Sequence, residues 1–545
     1  MMKKYVSSVI VIAFILVSFS IAAADEENHS IAVVDITQMD IGELQDAVDD
    51  GKLTYKQIMT LYLERIEEYS QMYNCIISVS ETAIEEAEAC DEIYEKQGRS
   101  SDIFGLPIIV KDNIDAEGMV TTNGSLAMSG NVAEQDAEIV AALKEAGGII
   151  VAKANMDKYA EHSQYSISDF GRVNNAFDLS KSSYGSSGGS AVAAAASLAP
   201  ICVGTDTNAS IRVPASANGV VGIRPTKGLL STEGITVCIS ERDTAGPLAK
   251  SVTDAAIILT AMGNFQADYT QYLSDESLED MRVGVITSLS YGSDEIEGYF
   301  EDALDIIEGE GAEIVMMNFS LPSGYDADVS AYRQVFTSAM DRYDVDVAVY
   351  LTIRSTVMSH SQAANSIGNS NGWAIAPSAG APAMTVPMAI DSYGMPVGIE
   401  FVGRCYDEGA VIGAGYDFEQ ALGLEIETTL APPLYEISDE ISDLLELAEQ
   451  PVFGQIRGYE KEYDDVLNAY QESISYLESD YYDDADADEK AETLLEEYEK
   501  SISDYEESYE KWERNVNLAG ICTVLAAIVL YAVIIIIRRK KKSAA

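Results

Sequence analysis

YGSSGGSAVAAAASLAPICVGTDTNASIRVP, residues 184–214, is the stretch on which the reading of this chain turns. A serine-glycine loop opens it. The small-residue run 190–198 predicts a helix suited to close packing, and 201–204 predicts a short apolar strand. A second serine follows in the frame Asp206-Thr207-Asn208-Ala209-Ser210-Ile211-Arg212. Upstream, 104–111 predicts a buried strand that ends in a lysine, Ile108-Ile109-Val110-Lys111-Asp112-Asn113.

These residue types suggest a chemistry. A serine hydroxyl is a poor nucleophile until a neighbouring base takes its proton. His162 is the histidine near the serine motifs in sequence. A lysine serves instead when burial depresses its pKa enough to leave it neutral, and Lys111, at the end of an apolar strand, fits that requirement. Glycines around Ser186 permit tight turns, and the small residues around Ser210 would let backbone N–H groups approach a developing oxyanion. Taken alone, a serine-glycine loop is equally compatible with a flexible turn.

The surrounding pattern alternates helices and strands. Residues 41–90 read as helical, 136–146 as an amphipathic helix and 148–153 as a buried strand. Strands are expected again at 281–286, 312–317, 346–351, 381–387 and 397–401, with a helix at 408–422. The expected fold class is therefore α/β, a mixed central sheet covered by helices on both faces. No internal repeat is evident.

The two ends differ from this body. Residues 1–24 read as a secretory signal: Lys3 and Lys4, an apolar run, then Ala22-Ala23-Ala24 as a cleavage site. Residues 25–435 form the expected main domain. From 436 to 516 the chain is rich in Glu, Asp and Tyr, an expected acidic helical stalk that leaves self-association open. Residues 517–537 are apolar and long enough to cross a bilayer as one helix. The basic tail 538–545 begins with Arg538, Arg539, Lys540, Lys541 and Lys542, which the positive-inside rule keeps in the cytoplasm. A single-pass protein of the cell membrane with its main domain outside is the expectation.

Lys and Arg number 34 against 90 Asp and Glu, a formal net charge of −56, which excludes a nucleic-acid partner. The six cysteines and three histidines show no metal-ligand spacing, so no metal and no organic cofactor is expected. An outward location would permit a Cys75–Cys90 disulfide.

Several segments in order resemble the amidase signature family: VKDNIDAEGMVTTNGS (110–125), GSSGGSA (185–191), GTDTNASIRVPA (204–215), GIRPTKGLLSTEG (222–234), DTAGPLAKSVTDAA (243–256) and SAGAPAMTVPMAIDSYGMPVGIEFVGRCYDEGAVI (378–412). The resemblance covers residues 36–424 and leaves out the ends. It implies that Lys111 is the catalytic lysine, Ser186 the bridging serine after a cis peptide bond, and Ser210 the nucleophile. The backbone N–H groups of Thr207, Asn208, Ala209 and Ser210 would form the oxyanion hole. It implies a small amide or peptide-like substrate. Asp206 and Arg212 match family positions too and read as an ion pair or loop clamp. Lys153 matches no catalytic position and reads as structural.

The chain departs from the family where two glycines usually precede the nucleophile. Asn208-Ala209 stands there. If either backbone needs a positive φ, asparagine tolerates it and alanine loses about 1 kcal/mol. Ser183-Tyr184-Gly185, Asn174-Asn175-Ala176 and Lys158-Tyr159 also differ from the family pattern. The region 288–344 is shorter than its family counterpart, which implies a more open cleft. The leading expectation is an amidase; the alternative is an amidase-fold surface protein of weak or no activity, used for binding or scaffolding.

Overall fold

A computed structural model of the chain describes residues 35–319, 328–365, 369–424, 426, 428 and 430–432. The signal, the stalk, the membrane helix and the basic tail expected at the two ends lie outside the described residues. Among the described residues, no helix is long and apolar enough to cross a membrane.

Two capped helices begin the fold. In α1 (Ile41–Asp49), Asp40 and Glu43 close a reciprocal capping box; in α2 (Tyr55–Tyr73), Thr54 and Gln57 do the same. Next come β1 (Ile76–Val79), α3 (Ala83–Gln97), β2 (Pro107–Lys111), α4 (Glu138–Glu145) and β3 (Ile149–Ala154). A small ladder, β4 (Ile167–Ser168) with β5 (Gly171–Arg172), precedes α5 (Gly188–Ala195), β6 (Ile201–Asp206), α6 (Arg212–Ala217), β7 (Val221–Arg224), β8 (Thr244–Ala249) and α7 (Val252–Met262). The remainder is β9 (Arg282–Ile286), α8 (Asp294–Gly309), β10 (Glu313–Met317), α9 (Val329–Tyr343), β11 (Val347–Leu351), the short α10 (His360–Ala363) and α11 (Ala376–Ala379), β12 (Ala383–Ile390), β13 (Pro396–Val402) and α12 (Glu408–Leu422).

Eleven strands make one mixed sheet in the order β1-β3-β2-β6-β8-β7-β12-β13-β11-β9-β10. β2 runs parallel to both β3 and β6, whereas β8, β7, β12 and β13 are joined antiparallel. Successive side chains of a strand point to opposite faces. Every residue of β2, β3, β6 and β13 is buried, so both faces are covered there. The expected mixed α/β architecture is present.

Three expectations need correction. The stretch 41–90 is not helical throughout, because Ile76–Val79 adds an antiparallel edge strand to β3. β7 and β8 sit in the middle of the sheet although neither reads as a strand in sequence. VGIR is short, and TAGPLA carries a glycine and a proline, residues that argue against a central strand. Burial between β6 and β7 outweighs that propensity, with Pro247 seated opposite Val203. Finally, Cys75 and Cys90 are both buried free thiols, on either side of β1.

Candidate active site

β2 and β6 are neighbours, with Val110 opposite Val203, and the groups at their C-terminal ends meet. Lys111, the last residue of β2, is fully buried. Its Nζ lies 2.7 Å from Ser186 Oγ, 2.8 Å from Thr205 Oγ1 and 3.4 Å from Thr205 O. Burial pushes its pKa from 10.5 down to about 7, against the opposing pull of Asp206, Asp243 and Asp157. The lysine is thus poised to hold or release a proton near neutrality.

Ser186 sits on the loop that enters α5, after a cis Gly185–Ser186 peptide bond. Its carbonyl accepts from Asp157 N–H at 3.0 Å and from Ser166 Oγ at 3.2 Å, so the loop is held from the far side. The glycines answer to space. A β-carbon at Gly185 would lie 2.2 Å from Tyr165 O, and one at Gly189 would lie 2.1 Å from Asn155 O. The serine-glycine loop is a packed element rather than a flexible turn.

Ser210 occupies the turn between β6 and α6 and is 2% exposed. Ser187 N–H donates to Ser210 O at 3.2 Å, which joins this turn to the residue beside Ser186. Ser187 Oγ in turn donates to Thr205 O at 3.1 Å. The structure therefore brings Lys111, the Ser186 loop and the Ser210 turn together. His162 does not take the base position: its Nδ1 lies 3.1 Å from the buried Asp157 carboxylate.

Asp206 and Arg212 form the expected clamp and do more. Arg212 Nε donates to Asp206 Oδ2 at 3.2 Å, and Nη2 donates to Asn208 O at 2.9 Å and Gly372 O at 2.7 Å. Nη1 pairs with Glu400, which also accepts from Tyr350 OH at 2.5 Å. Arg224 joins through Asp206 Oδ1 at 2.8 Å. Burial alone would raise the Asp206 carboxyl, but Arg212 and Arg224 outweigh it and hold it below its usual range. Lys153 is spent elsewhere, on Ile114 O at 2.5 Å and Thr121 Oγ1 at 3.0 Å.

Neither Asn208 nor Ala209 has a positive φ, so the strain foreseen at this step does not arise. Among the described residues, no acceptor takes the backbone N–H of Thr207, Ala209 or Ser210, whereas Ile211 N–H goes to Asp206 Oδ2 at 3.1 Å. Unclaimed N–H groups in a buried turn suit an anionic oxygen.

Residues that sequence reasoning missed are Thr205, Asn113, Asp157, Glu400 and Tyr350. Thr205 lay inside the quoted stretch and could have been found from its place one residue before Asp206. Asn113 Nδ2 donates to Thr205 Oγ1 at 3.1 Å. Glu400 and Tyr350 come from strands far along the chain, and no local signal marks them. Among the described residues, no group of acidic, cysteine and histidine side chains could hold a metal ion.

A buried lysine against a serine at the end of a parallel strand pair, with a second serine on the adjoining turn, sits in a fold of the amide-hydrolase class. The family model described as Amidase matches residues 57–362, and the chain belongs to the amidase signature family, whose members hydrolyse amide C–N bonds. It is 30% identical over 477 residues to the glutamyl-tRNA(Gln) amidotransferase A subunit of Thermoanaerobacter pseudethanolicus, covering 71% of this chain and 97% of that protein. Among solved structures, it is similar to the native peptide amidase from Stenotrophomonas maltophilia, with 26% identity, a TM-score of 0.64, and coverage of 73% of this chain and 99% of that one. The corresponding amidotransferase protein of Thermotoga maritima is also similar, with 25% identity, a TM-score of 0.59, and coverage of 73% and 99%.

Proposed function

We propose that the chain is an amidase that cleaves a carboxamide or peptide-like amide by a Lys111–Ser186–Ser210 relay. The observation that carries this reading is the 2.7 Å contact between the buried, pKa-depressed Lys111 and Ser186 Oγ. Neutral Lys111 accepts the Ser186 proton, Ser186 accepts that of Ser210, and Ser210 Oγ attacks the amide carbon. The N–H groups of Thr207, Asn208, Ala209 and Ser210 stabilise the oxyanion. The proton returns through Ser186 to the leaving amine. Water then hydrolyses the acyl-enzyme, so atoms and protons balance without a cofactor.

A peptide or small amide suits the chain better than a charged tRNA, because a net charge of −56 repels a phosphate polymer. In the same reading, the apolar run 517–537 and the five cations after it tether the enzyme to the cell membrane, with its catalytic domain outside. A fluorophosphonate probe tests the nucleophile: the wild type should label and Ser210→Ala should not. Equal labelling of both would overturn the assignment. Protease protection of the intact chain in spheroplasts tests the topology, and resistance of the main domain to added protease would refute the outward placement.

A further inference from the structure

Asn208 stands in the middle of the oxyanion turn and does not use its tolerance for left-handed backbone. Its side chain has another use. Asn208 Oδ1 accepts from Arg242 Nη1 at 3.2 Å, and Arg242 is 6% exposed. Arg242 belongs to a turn that is stapled to itself. Arg242 N–H and Asp243 N–H both donate to Ile239 O at 2.9 Å, and the Asp243 carboxylate accepts the N–H groups of Cys238 and Ile239. The carbonyl of Arg242 accepts from Arg224 Nη2 at 2.5 Å, and Arg224 is bound to Asp206.

The turn 207–210 is therefore held at Asn208 from two sides. Arg212 grips the Asn208 carbonyl, and Arg242 grips its side chain. A glycine at 208 would offer nothing for the second grip. We infer that Arg242 is a positioning residue that acts through Asn208 to aim the oxyanion N–H groups, so that the Asn208–Arg242 bridge is a working part of the site and not a mark of decay. This rests on the proposed function, since it presumes that the 207–210 turn holds the oxyanion.

The test is a double-mutant cycle on the full chain. It uses wild type, Arg242→Met, Asn208→Gly and the double variant, with Arg242→Lys as the conservative substitution. The readouts are the second-order rate of fluorophosphonate labelling and kcat and KM for a p-nitrophenyl ester. Each single variant should lose roughly tenfold or more in labelling and kcat, short of the about 10²–10³ lost with a whole oxyanion donor. KM and the acid limb of the pH profile should stay unchanged, because Lys111 is not touched. Arg242→Lys should recover part of the rate. The double variant should be no slower than Asn208→Gly alone, because Arg242 acts through that side chain.

A full Arg242→Met loss that persists in the Asn208→Gly background overturns the inference, as does wild-type labelling in Arg242→Met. A rise in rate in Asn208→Gly also overturns it, in favour of a site that has drifted from competence. If Arg242→Met does not fold, a wild-type rate in Arg242→Lys together with a wild-type rate in Asn208→Gly overturns it equally. Failure of the proposed function looks different: the wild type then fails to label, or labels independently of Ser210.

Discussion

Replacing Lys111 by methionine should abolish labelling and yet stabilise the protein near neutral pH. In the folded chain the lysine titrates at about 7, against 10.5 when unperturbed, because burial disfavours its charge. A pKa displaced by one pH unit corresponds to about 1.4 kcal/mol, so the penalty is roughly 5 kcal/mol. Between pH 7 and 10.5 the unfolded chain carries this proton and the folded chain does not. The lysine's contribution to stability therefore rises with pH through that window: the penalty is full at and below pH 7 and gone above 10.5. Methionine removes it but also removes the lysine's hydrogen bonds to Ser186 Oγ and to Thr205 Oγ1, which keeps only Asn113 Nδ2, at about 1 kcal/mol each. The variant should exceed the wild type by about 3 kcal/mol at pH 6.5 and fall below it by about 2 kcal/mol at pH 10.5. Urea unfolding of both proteins across that range measures the gap. Other titrating groups cancel in the difference, so parallel stability profiles would refute the desolvated lysine and with it the base.

Wild-type labelling should fall tenfold per pH unit below about pH 7, and Asp243→Asn should move that acid limb to lower pH, since Asp243 favours the protonated lysine; a rate against pH series reads both. Gly189→Ala should destabilise by roughly 1–3 kcal/mol in a thermal melt, because its β-carbon would sit 2.1 Å from Asn155 O and 2.6 Å from Cys75 O. Arg212→Met leaves buried Glu400 with Tyr350 OH but no cation, and Asp206 with Arg224 alone of its two arginines, and should cost about 3–5 kcal/mol by denaturant titration. In thiol titration with an aromatic disulfide at pH 8, the exposed Cys238 should react first. Cys75, raised by burial to about 12, and Cys90, raised by burial to about 11, should react only on unfolding.

Where one segment carries both its periodicity and its boundary signals, the structure was legible in the sequence. The helix at 408–422 coincides with α12, and the apolar strands at 148–153 and 346–351 fall within a residue of β3 and β11. Lys111, Ser186 and Ser210 were named through the ordered segments that resemble the amidase signature family, and the fold sets Lys111 Nζ 2.7 Å from Ser186 Oγ. The middle of the sheet was not legible. β7 and β8 are built from small residues whose strand conformation depends on neighbours that sequence order does not reveal. The Arg242–Asn208 bridge was hidden for a related reason: it spans 34 positions and looks in sequence like a missing glycine. Long-range pairs of this kind appear only when the turns are in place.

Arg65, in the second helix, is buried, and its guanidinium donates to four carbonyls, those of Ala196, Ser197, Ala431 and Pro432. The first two lie just past the C-terminal end of α5, and the opposite end of that helix opens directly from Ser186 and Ser187. One arginine thus moors Ala431 and Pro432 to the C-terminal end of the eight-residue helix whose N-terminal end holds the serine-glycine loop, so the closing segment of the described fold and that loop are fastened to the two ends of one rod.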